Sequence, residues 1–219
     1  MAAPASEPGT GLLAEQAYRV LRDRLVMLDI APGAPINEGR LALELQMGRT
    51  PIRESLKKLE LDHLVVSYPR RGTFATQVDI TDLAAISDMR QLLEPLAARK
   101  AALVARPELR AALAAQAERI AAMGDEPADK RPLMQYDVDV HRLIYRAAEN
   151  PHLEETLVRL DNLATRIWCL VLDRLPSISA HIREHVGLLE AIVARDGDRA
   201  AQLAAAHVAH FEASVRAVL

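Results

Sequence analysis

The sequence predicts a mainly α-helical protein: a winged helix-turn-helix followed by an all-α bundle of about six helices. Three observations lead to this fold class. Alanine and leucine dominate and aromatic residues make up only 3% of the chain, a composition typical of helix packed on helix. Apolar residues recur near a 3.6-residue period over most of the chain. Runs of β-branched and aromatic residues that suit strands are confined to residues 64–78.

The first module is predicted to span residues 12–78, after a disordered tail over residues 1–11. Apolar residues of "LLAEQAYRVLRDRLVMLDI" recur at helical spacing, and the prolines and glycine of "APGAPIN" end this first helix. Asn37 is then the expected cap of a second, short helix over residues 38–46.

The third helix is predicted in "GRTPIRESLKKLELDH", with Thr50 as its N-cap and Pro51 as its first helical residue. Its buried stripe is expected to consist of Ile52, Leu56, Leu59 and Leu61. Two short runs follow, "LVVSY" and "GTFATQV", separated by "PRRG". They predict a two-stranded wing with a basic tip.

Two arginines, Arg49 and Arg53, stand four residues apart at the start of this third helix. The recognition helix of a helix-turn-helix presents its first residues to base edges in the major groove, and the arginine fork matches O6 and N7 of guanine. Thr50 could donate to a phosphate. The other expected DNA contacts are Arg40, Arg70, Arg71 and Gly72, the last three at the wing tip. The alternative is that these arginines are ordinary solvated charges.

The distribution of charge agrees with a DNA-binding first module, although a net charge of −3 alone argues against nucleic acid. Residues 14–78 contain ten basic and eight acidic residues, whereas residues 79–219 contain seventeen and twenty-one. The split is modest, but it coincides with the change of pattern between the two modules.

The second module, residues 79–219, carries no strand pattern after Ile80. Thr81 is expected to cap a long helix that runs to about Ala105. Prolines separate the helices that follow: Pro107, Pro127, Pro132, Pro151 and Pro176. The result is an all-α bundle in which no heptad seam is apparent.

Acidic and histidine residues stand one helical turn apart at three places in this module. The pairs are Asp137 with His141, His181 with His185, and His207 with His210. A carboxylate and imidazoles that converge from separate helices build metal sites in bundle cores, and these ligands suit zinc, nickel, iron or manganese. Any single helical histidine is more often exposed, or hydrogen-bonded in a core, than a metal ligand.

The stretch "LDIAPGAPINEGRLALELQMGRTPIRESLKKLELDHLVVSYPRRGTFATQV" resembles the winged helix of the GntR family of bacterial transcription regulators, with RTP-x-RE-x-L as its most specific motif. The resemblance implies operator contacts by the arginines at Arg40, Arg49 and Arg53 and by the wing tip. Two positions depart from the family pattern. Gly48 replaces the usual serine before the motif, and His63 replaces the glycine that usually follows the recognition helix.

Residues 80–210 resemble the FCD effector domain found in the FadR branch of that family. The matching motifs are "RQLLE" from Arg90, "DVDVH" from Asp137, "NPHL" from Asn150, "EHVGLLEA" from Glu184, and His207. The resemblance implies a divalent metal bound by Asp137, His141, His185 and His207. An effector carboxylate on that metal would also need a cation or donor, for which Arg90 and Asn150 are candidates. Arg90 could equally form an ion pair with Glu94.

The resemblance implies a ligand-responsive transcription regulator, more commonly a repressor, that forms a homodimer on a pseudo-palindromic DNA operator and responds to a small organic acid. The N-terminus lacks the basic and apolar regions of a signal peptide, and no apolar run approaches the ~18 residues of a membrane helix, so a cytoplasmic protein is expected. The alternatives are a metal-dependent hydrolase with a DNA-binding appendage, a nucleoid protein, and a regulator with a metal-free apolar pocket. The absence of a base beside the metal and of an H-E-x-x-H motif favours a protein that is not an enzyme.

Overall fold

The computed structural model describes residues 10–124 and 129–219. The chain divides into two compact units, Met1–Val78 and Asp79–Leu219. Residues 1–9 of the expected tail and Pro127 lie outside the described residues, whereas Thr10 and Gly11 already belong to the first helix.

Within the described residues, the first unit contains three helices and a three-stranded antiparallel sheet. The helices are α1 (Thr10–Val26), α2 (Glu38–Glu44) and α3 (Arg49–Leu61), and the strands are β1 (Pro35–Ile36), β2 (Val65–Tyr68) and β3 (Gly72–Ala75). The winged helix-turn-helix is confirmed. Strand β1 was not expected because it is only two residues long and starts with a proline, and it pairs with Phe74 and Thr73 of β3 at the sheet edge.

Helix α3 begins earlier than the sequence suggests. Its N-cap is Gly48, with extended φ −66° and ψ 163°, and Arg49 is its first residue. The prediction of Thr50 as N-cap is therefore wrong, and Pro51 is the third helical residue rather than the first. Proline fits there because no backbone N–H of the first turn has a partner within the helix. Asn37 does cap α2, accepting from the Arg40 backbone N–H at 2.9 Å.

The core of the first unit is formed by the inward faces of its helices and by the residues at the start of β2. The fully buried members from α3 are Ile52 and Leu59. The prediction that Leu61 extends this stripe is wrong, since its side chain is 74% exposed. It lies two positions after Leu59 and therefore points away from the core, whereas Leu64 is fully buried.

The second unit contains six α-helices within the described residues, as the sequence predicts. They are α4 (Leu83–Val104), α5 (Pro107–Ala121), α6 (Arg131–Ala147), α7 (Pro151–Val171), α8 (Ser179–Val193) and α9 (Gly197–Arg216). Short 3-10 turns at Ile80–Asp82 and Leu172–Arg174 precede α4 and follow α7. Thr81 is not the cap that the sequence suggested, because the Asp79 side chain accepts from the Thr81 backbone N–H at 2.9 Å.

Helix α4 packs against α6, α7, α8 and α9, so the inward faces of these helices surround a common core. Polar and ionisable side chains are buried in this core among leucine, isoleucine and alanine. No helix of the described chain is both long enough and apolar enough to cross a membrane.

Candidate metal centre and nucleic-acid interface

The structure brings the four predicted metal ligands together from three helices. Helix α6 provides Asp137 and His141 one turn apart, α8 provides His185, and α9 provides His207. All four side chains are buried, and one ligand atom of each lies within 4.8 Å of the others. The Nε2 atom of His141 is 3.2 Å from Nε2 of His207 and 3.3 Å from Nε2 of His185. This arrangement could hold a metal ion.

Hydrogen bonds outside the cluster determine which ring nitrogen of each histidine carries the proton. In all three rings Nδ1 faces an oxygen atom that accepts, so Nδ1–H donates and Nε2 keeps its lone pair. The acceptors are Glu184 Oε2 for His207 (3.0 Å), the Ile182 carbonyl for His185 (3.2 Å) and the Tyr145 hydroxyl for His141 (3.1 Å). The Tyr145 oxygen is free to accept because its hydroxyl donates to Glu94.

Three Nε2 lone pairs therefore converge in a buried space without a proton between them. Asp137 Oδ1 is also buried there and makes no hydrogen bond within the described part of the chain. Convergent lone pairs repel each other, and a buried acceptor without a donor is destabilising. A divalent cation bound here would remove the repulsion between the lone pairs and would give the Asp137 oxygen a partner. Neutral imidazoles with one carboxylate are ligands that zinc, nickel, iron and manganese accept. The residues present fit such an ion.

Burial also favours the protonation state that a metal requires in the histidines. It lowers the pKa of His141 and His185 well below the ordinary histidine value, and it lowers the pKa of His207 to about 3. The imidazoles are therefore neutral at neutral pH. Burial, reinforced by the neighbouring Asp161 carboxylate, raises the pKa of Asp137 well above its ordinary value, so a metal ion and a proton would compete for this carboxyl group.

Arg90, a predicted effector contact, is buried in an ion pair. Its Nε donates to Glu94 Oε1 at 2.6 Å, and its Nη2 lies 3.6 Å from Asp161 Oδ1. The guanidinium also lies 5.0 Å from the centre of the Phe211 ring. The ion-pair alternative is thus present, and the positive charge of Arg90 partly opposes the rise in the pKa of Asp137 that burial and Asp161 cause. Arg90 is therefore part of the electrostatics of the buried histidine and aspartate cluster.

Asn150, the other predicted effector contact, is the N-cap of α7. Its Oδ1 accepts from the Leu153 backbone N–H at 3.2 Å. This cap role explains why asparagine suits the position before Pro151, since an Asx cap followed by proline is a frequent helix start.

Several buried polar residues of the second unit were not predicted from the sequence. Two successive turns of α7 bury four polar side chains on the inward face: Asp161, Asn162, Thr165 and Arg166. The i, i+1, i+4, i+5 spacing in "DNLATR" was the available signal. Glu184 was also missed as a partner of His207, because their contact links two helices. The ring centres of His181 and His207 lie 3.9 Å apart in a stacked arrangement. His210, in contrast, is outside the buried cluster, since its side chain is 63% exposed.

The predicted DNA-contacting residues are all exposed and belong to the first unit. They lie on α2 (Arg40), in the first turn and a half of α3 (Arg49, Thr50, Arg53), and in the β2–β3 turn (Arg70, Arg71) with the first residue of β3 (Gly72). Two are held by carboxylates: Arg53 Nε donates to Glu38 Oε2 and Arg40 Nε donates to Glu44 Oε1, both at 2.7 Å. Gly72 has φ 92°, which glycine adopts without strain in this tight turn.

Comparison with known proteins agrees with this architecture. The model of "Bacterial regulatory proteins, gntR family" matches residues 13–75, and that of the FCD domain matches residues 85–210. The chain is 27% identical over 208 residues to the HTH-type transcriptional repressor RspR of Escherichia coli K12, covering 93% of this chain and 89% of RspR. It is 30% identical to a probable D-xylose utilization operon transcriptional repressor of Paenarthrobacter nicotinovorans, covering 87% of this chain and 85% of that protein.

A solved structure of E. coli McbR/YncC has the same fold, with a TM-score of 0.80 and 23% identity over 94% of this chain and 97% of that chain. The two family models and the named relatives describe transcription regulators, so the expectation that the chain is not an enzyme is confirmed. The chain belongs to the GntR family of bacterial transcription regulators, with an FCD domain after its winged helix-turn-helix.

Proposed function

We propose that this regulator is a homodimeric, cytoplasmic repressor whose FCD unit binds a divalent metal and a small carboxylate effector. Its two winged helices bind the half-sites of a pseudo-palindromic operator. The names of the relatives in E. coli and P. nicotinovorans, both repressors, support the sign of regulation. The convergence of three histidine Nε2 atoms beside Asp137 is the observation that carries the metal-dependent part.

The metal site is tested by measuring metal content with mass spectrometry after incubation with zinc, nickel or manganese and gel filtration. About one ion per chain is expected for the wild type. His185→Ala should lose most of it, because three ligands cannot replace four in a rigid core. The matched control is His152→Ala, which removes an exposed histidine from α7. A wild-type protein without metal would contradict the site.

The effector is proposed to place its carboxylate beside the metal, with Asn162 as a hydrogen-bond donor. Asn162 is fully buried, and its Nδ2 makes no hydrogen bond in the described residues, while its Oδ1 accepts from Arg142 Nη2 at 3.2 Å. A buried amide that can still donate is suited to recognise an anion. Arg90 lies close enough to the same cluster to affect Asp137, although its charge is shared with Glu94 and Asp161. Small carboxylic acids are the ligand class that these groups favour.

This assignment is tested by adding each member of a library of small carboxylic acids to the metal-loaded protein and measuring the melting temperature. An acid that stabilises the wild type should lose its effect on Asn162→Ala. Asn150→Asp keeps the capping oxygen but removes the amide N–H₂ at that position. If Asn150→Asp abolishes the response and Asn162→Ala does not, Asn150 is the contact and the assignment to Asn162 is wrong.

DNA reading is proposed to depend on Arg49 and Arg53 at base edges, with Thr50 and Arg40 on the backbone. The wing tip, Arg70, Arg71 and Gly72, would contact the minor groove or backbone. A duplex selected from random sequence by the wild type provides an operator probe. Arg53→Ala should remove the preference at one base pair of each half-site, while Arg70→Ala should weaken binding to all sequences alike. Equal losses in both variants would contradict the division of roles.

Homodimerisation is proposed to use an exposed apolar stripe on α4. The stripe repeats in alternating steps of four and three residues; its apolar members are Ala85, Met89, Leu92, Leu96 and Leu103, and Arg99 is its one charged member. The stripe begins with a small side chain and ends with a large one. A second copy packed antiparallel would therefore place Ala85 against Leu103. The same pairing brings Asp88 beside Arg99 of the partner subunit. A two-fold interface requires this kind of self-complementarity.

The effector and the operator are proposed to be coupled through the protein. If a carboxylate that binds the FCD unit weakens operator affinity, the operator must weaken carboxylate affinity by the same factor. Titration of the effector with and without the selected duplex measures this factor. Unequal factors would show that the acid does not act through a binding equilibrium of this chain.

A further inference from the structure

The side chain of Arg53 is fixed by a carboxylate from the neighbouring helix. Its Nε donates to Glu38 Oε2 at 2.7 Å, although the two residues are fifteen positions apart and belong to α3 and α2. The Arg53 side chain is still 61% exposed. It is therefore held in one direction while its end remains accessible to a ligand.

The contact engages the only nitrogen of the guanidinium that is not needed for reading guanine. A bidentate contact with O6 and N7 uses two parallel N–H groups of the fork, and the terminal Nη1 and Nη2 can supply both. The contact recorded between Arg53 and Glu38 is made through Nε. Glu38 thus holds the guanidinium at its Nε side, while more than half of the Arg53 side chain stays exposed.

We infer that Glu38 is a specificity-determining positioning residue that orients Arg53 for base reading. This inference rests on the proposed contact between Arg53 and a base pair. A long arginine side chain loses substantial rotamer freedom when it is ordered, so a partner that orders it before binding favours the one base that fits. The carboxylate also adds negative charge near the DNA backbone, which weakens binding to every other sequence.

The neighbouring pair repeats the arrangement. Arg40 Nε donates to Glu44 Oε1 at 2.7 Å, and the second oxygen of Glu44 accepts from Arg24 Nη1 at 3.1 Å. These two hydrogen bonds lower the pKa of Glu44, so its carboxylate stays charged. Two of the arginines expected at the DNA are therefore held through Nε by acidic residues of the same short helix.

The experiment compares affinity for the duplex selected by the wild type with affinity for a scrambled duplex of the same composition. The variants are Glu38→Gln, Arg53→Ala and the double variant, and Glu54→Gln is the matched control that removes one exposed carboxylate from α3 itself. For Glu38→Gln, the ratio of specific to scrambled affinity should fall about tenfold, within the range that one bidentate contact contributes. Binding to the scrambled duplex should stay equal or become tighter.

Two further readouts separate positioning from other roles. In the Arg53→Ala background, Glu38→Gln should leave the affinity ratio unchanged, because there is no arginine left to orient. A selection repeated with Glu38→Gln should relax the base preference at the same base pair as Arg53→Ala does. Glu54→Gln should preserve that preference.

Other outcomes would overturn the inference. An equal gain of affinity for both duplexes in Glu38→Gln would mean that Glu38 only repels DNA. An equal loss, together with a lower melting temperature, would mean that it only stabilises the fold. If Arg53→Ala itself keeps all base preferences, the proposed reading by Arg53 fails. If Arg53→Ala loses one preference and Glu38→Gln loses none, only the role of Glu38 is wrong.

Discussion

The Nε2 atoms of His141 and His207 lie 3.2 Å apart in the core of the FCD unit. Their Nδ1 atoms bond to Tyr145 and Glu184, so neither ring can rotate or change tautomer without losing a hydrogen bond that is buried for His141 and partly buried for His207. The fold therefore keeps two repelling acceptors together. A metal ion that binds between them should stabilise the native state, because the unfolded chain has no such site.

Removal of the metal should lower the melting temperature. A ligand present at 100 times its Kd stabilises by about 2.7 kcal/mol, and in a protein of this size each kcal/mol shifts the melting temperature by about 2–4 °C. A decrease of roughly 5–10 °C on chelation is expected for the wild type. His152→Ala should show the same decrease and His185→Ala little of it. An unchanged wild-type melting curve would argue against a metal in the core.

The metal-free protein should lose stability as the pH falls through about 6.5. Four buried histidines have a pKa below the ordinary value of 6.5 in the folded state: His141, His181, His185 and His207. The unfolded chain binds these protons and the folded chain does not, so acid favours unfolding by up to about 1.4 kcal/mol per pH unit for each histidine. Asp137, whose pKa is raised, acts in the opposite direction but is a single group.

This pH dependence is measured by urea unfolding in EDTA between pH 7.5 and 5.5. His181→Phe provides the comparison, because it removes one buried histidine that is not among the four predicted ligands. The unfolding free energy of His181→Phe should change less per pH unit than that of the wild type, and the difference should equal the contribution of one histidine. Equal slopes in the two proteins would mean that folding does not lower the pKa of His181.

Arg90→Ala should be strongly destabilising, whereas Arg99→Ala should not. Arg90 and Glu94 are both nearly inaccessible, so removal of the guanidinium leaves a buried carboxylate without its partner, at a cost of about 3–5 kcal/mol. Arg99 pairs with Asp198 at 2.9 Å, but both side chains are mostly exposed, and such pairs contribute about 0–1 kcal/mol. Urea unfolding of both variants tests the contrast. Similar losses of unfolding free energy in the two variants would mean that water replaces the missing Arg90 guanidinium beside Glu94.

The sequence predicts the four residues that form the cluster but not the side chains that hydrogen-bond to them from outside it. Asp137 and His141 are one turn apart on a single helix, and their shared face follows from helical geometry alone. Glu184 reaches His207 from another helix, and its role depends on how α8 packs on α9. No local spacing contains that information. The start of α3 was misjudged for a different reason: proline is tolerated throughout the first turn, so it does not locate the first residue.

The heptad-like stripe proposed for the dimer was missed in the sequence, because the usual placement of large and small residues is inverted on α4. The buried face of this helix is built largely of small residues, Ala97, Ala98, Ala101 and Ala102, which let its neighbours approach closely. Its exposed face carries the larger Leu92 and Leu103. A hydrophobicity pattern assigns leucines to the core first, so only the packed structure distinguishes the two faces.

His63→Gly should stabilise the first unit. His63 has φ 59°, a left-handed conformation at the end of α3, where its backbone N–H donates to the Glu60 carbonyl at 3.1 Å. A residue with a Cβ pays about 1 kcal/mol for this conformation and glycine does not. A gain of about 0.5–1 kcal/mol in unfolding free energy is expected. Gly33→Ala, at φ 76°, is the reverse control and should destabilise. A loss of stability in His63→Gly would show that the imidazole makes a stabilising contact.

Leu92→Glu should dissociate the proposed dimer without unfolding the protein. Leu92 is 72% exposed in the single chain, so a carboxylate is tolerated there, but in an antiparallel interface it would be buried without a partner. The dissociation constant from analytical ultracentrifugation should rise at least about tenfold. Leu61→Glu is the matched control, since Leu61 is 74% exposed but belongs to α3.

The antiparallel register of that dimer is tested by charge reversal. Asp88→Arg should weaken association by placing two positive charges together, and the double variant Asp88→Arg/Arg99→Asp should restore it, because the opposite charges meet again across the two-fold axis. The change Arg99→Asp also places a carboxylate near Asp198 of the same chain. The single variant Arg99→Asp therefore measures the effect of that repulsion alone. A dimer that survives Leu92→Glu would place the interface elsewhere. Dissociation by Leu92→Glu without rescue in the double variant would retain the stripe and exclude this register.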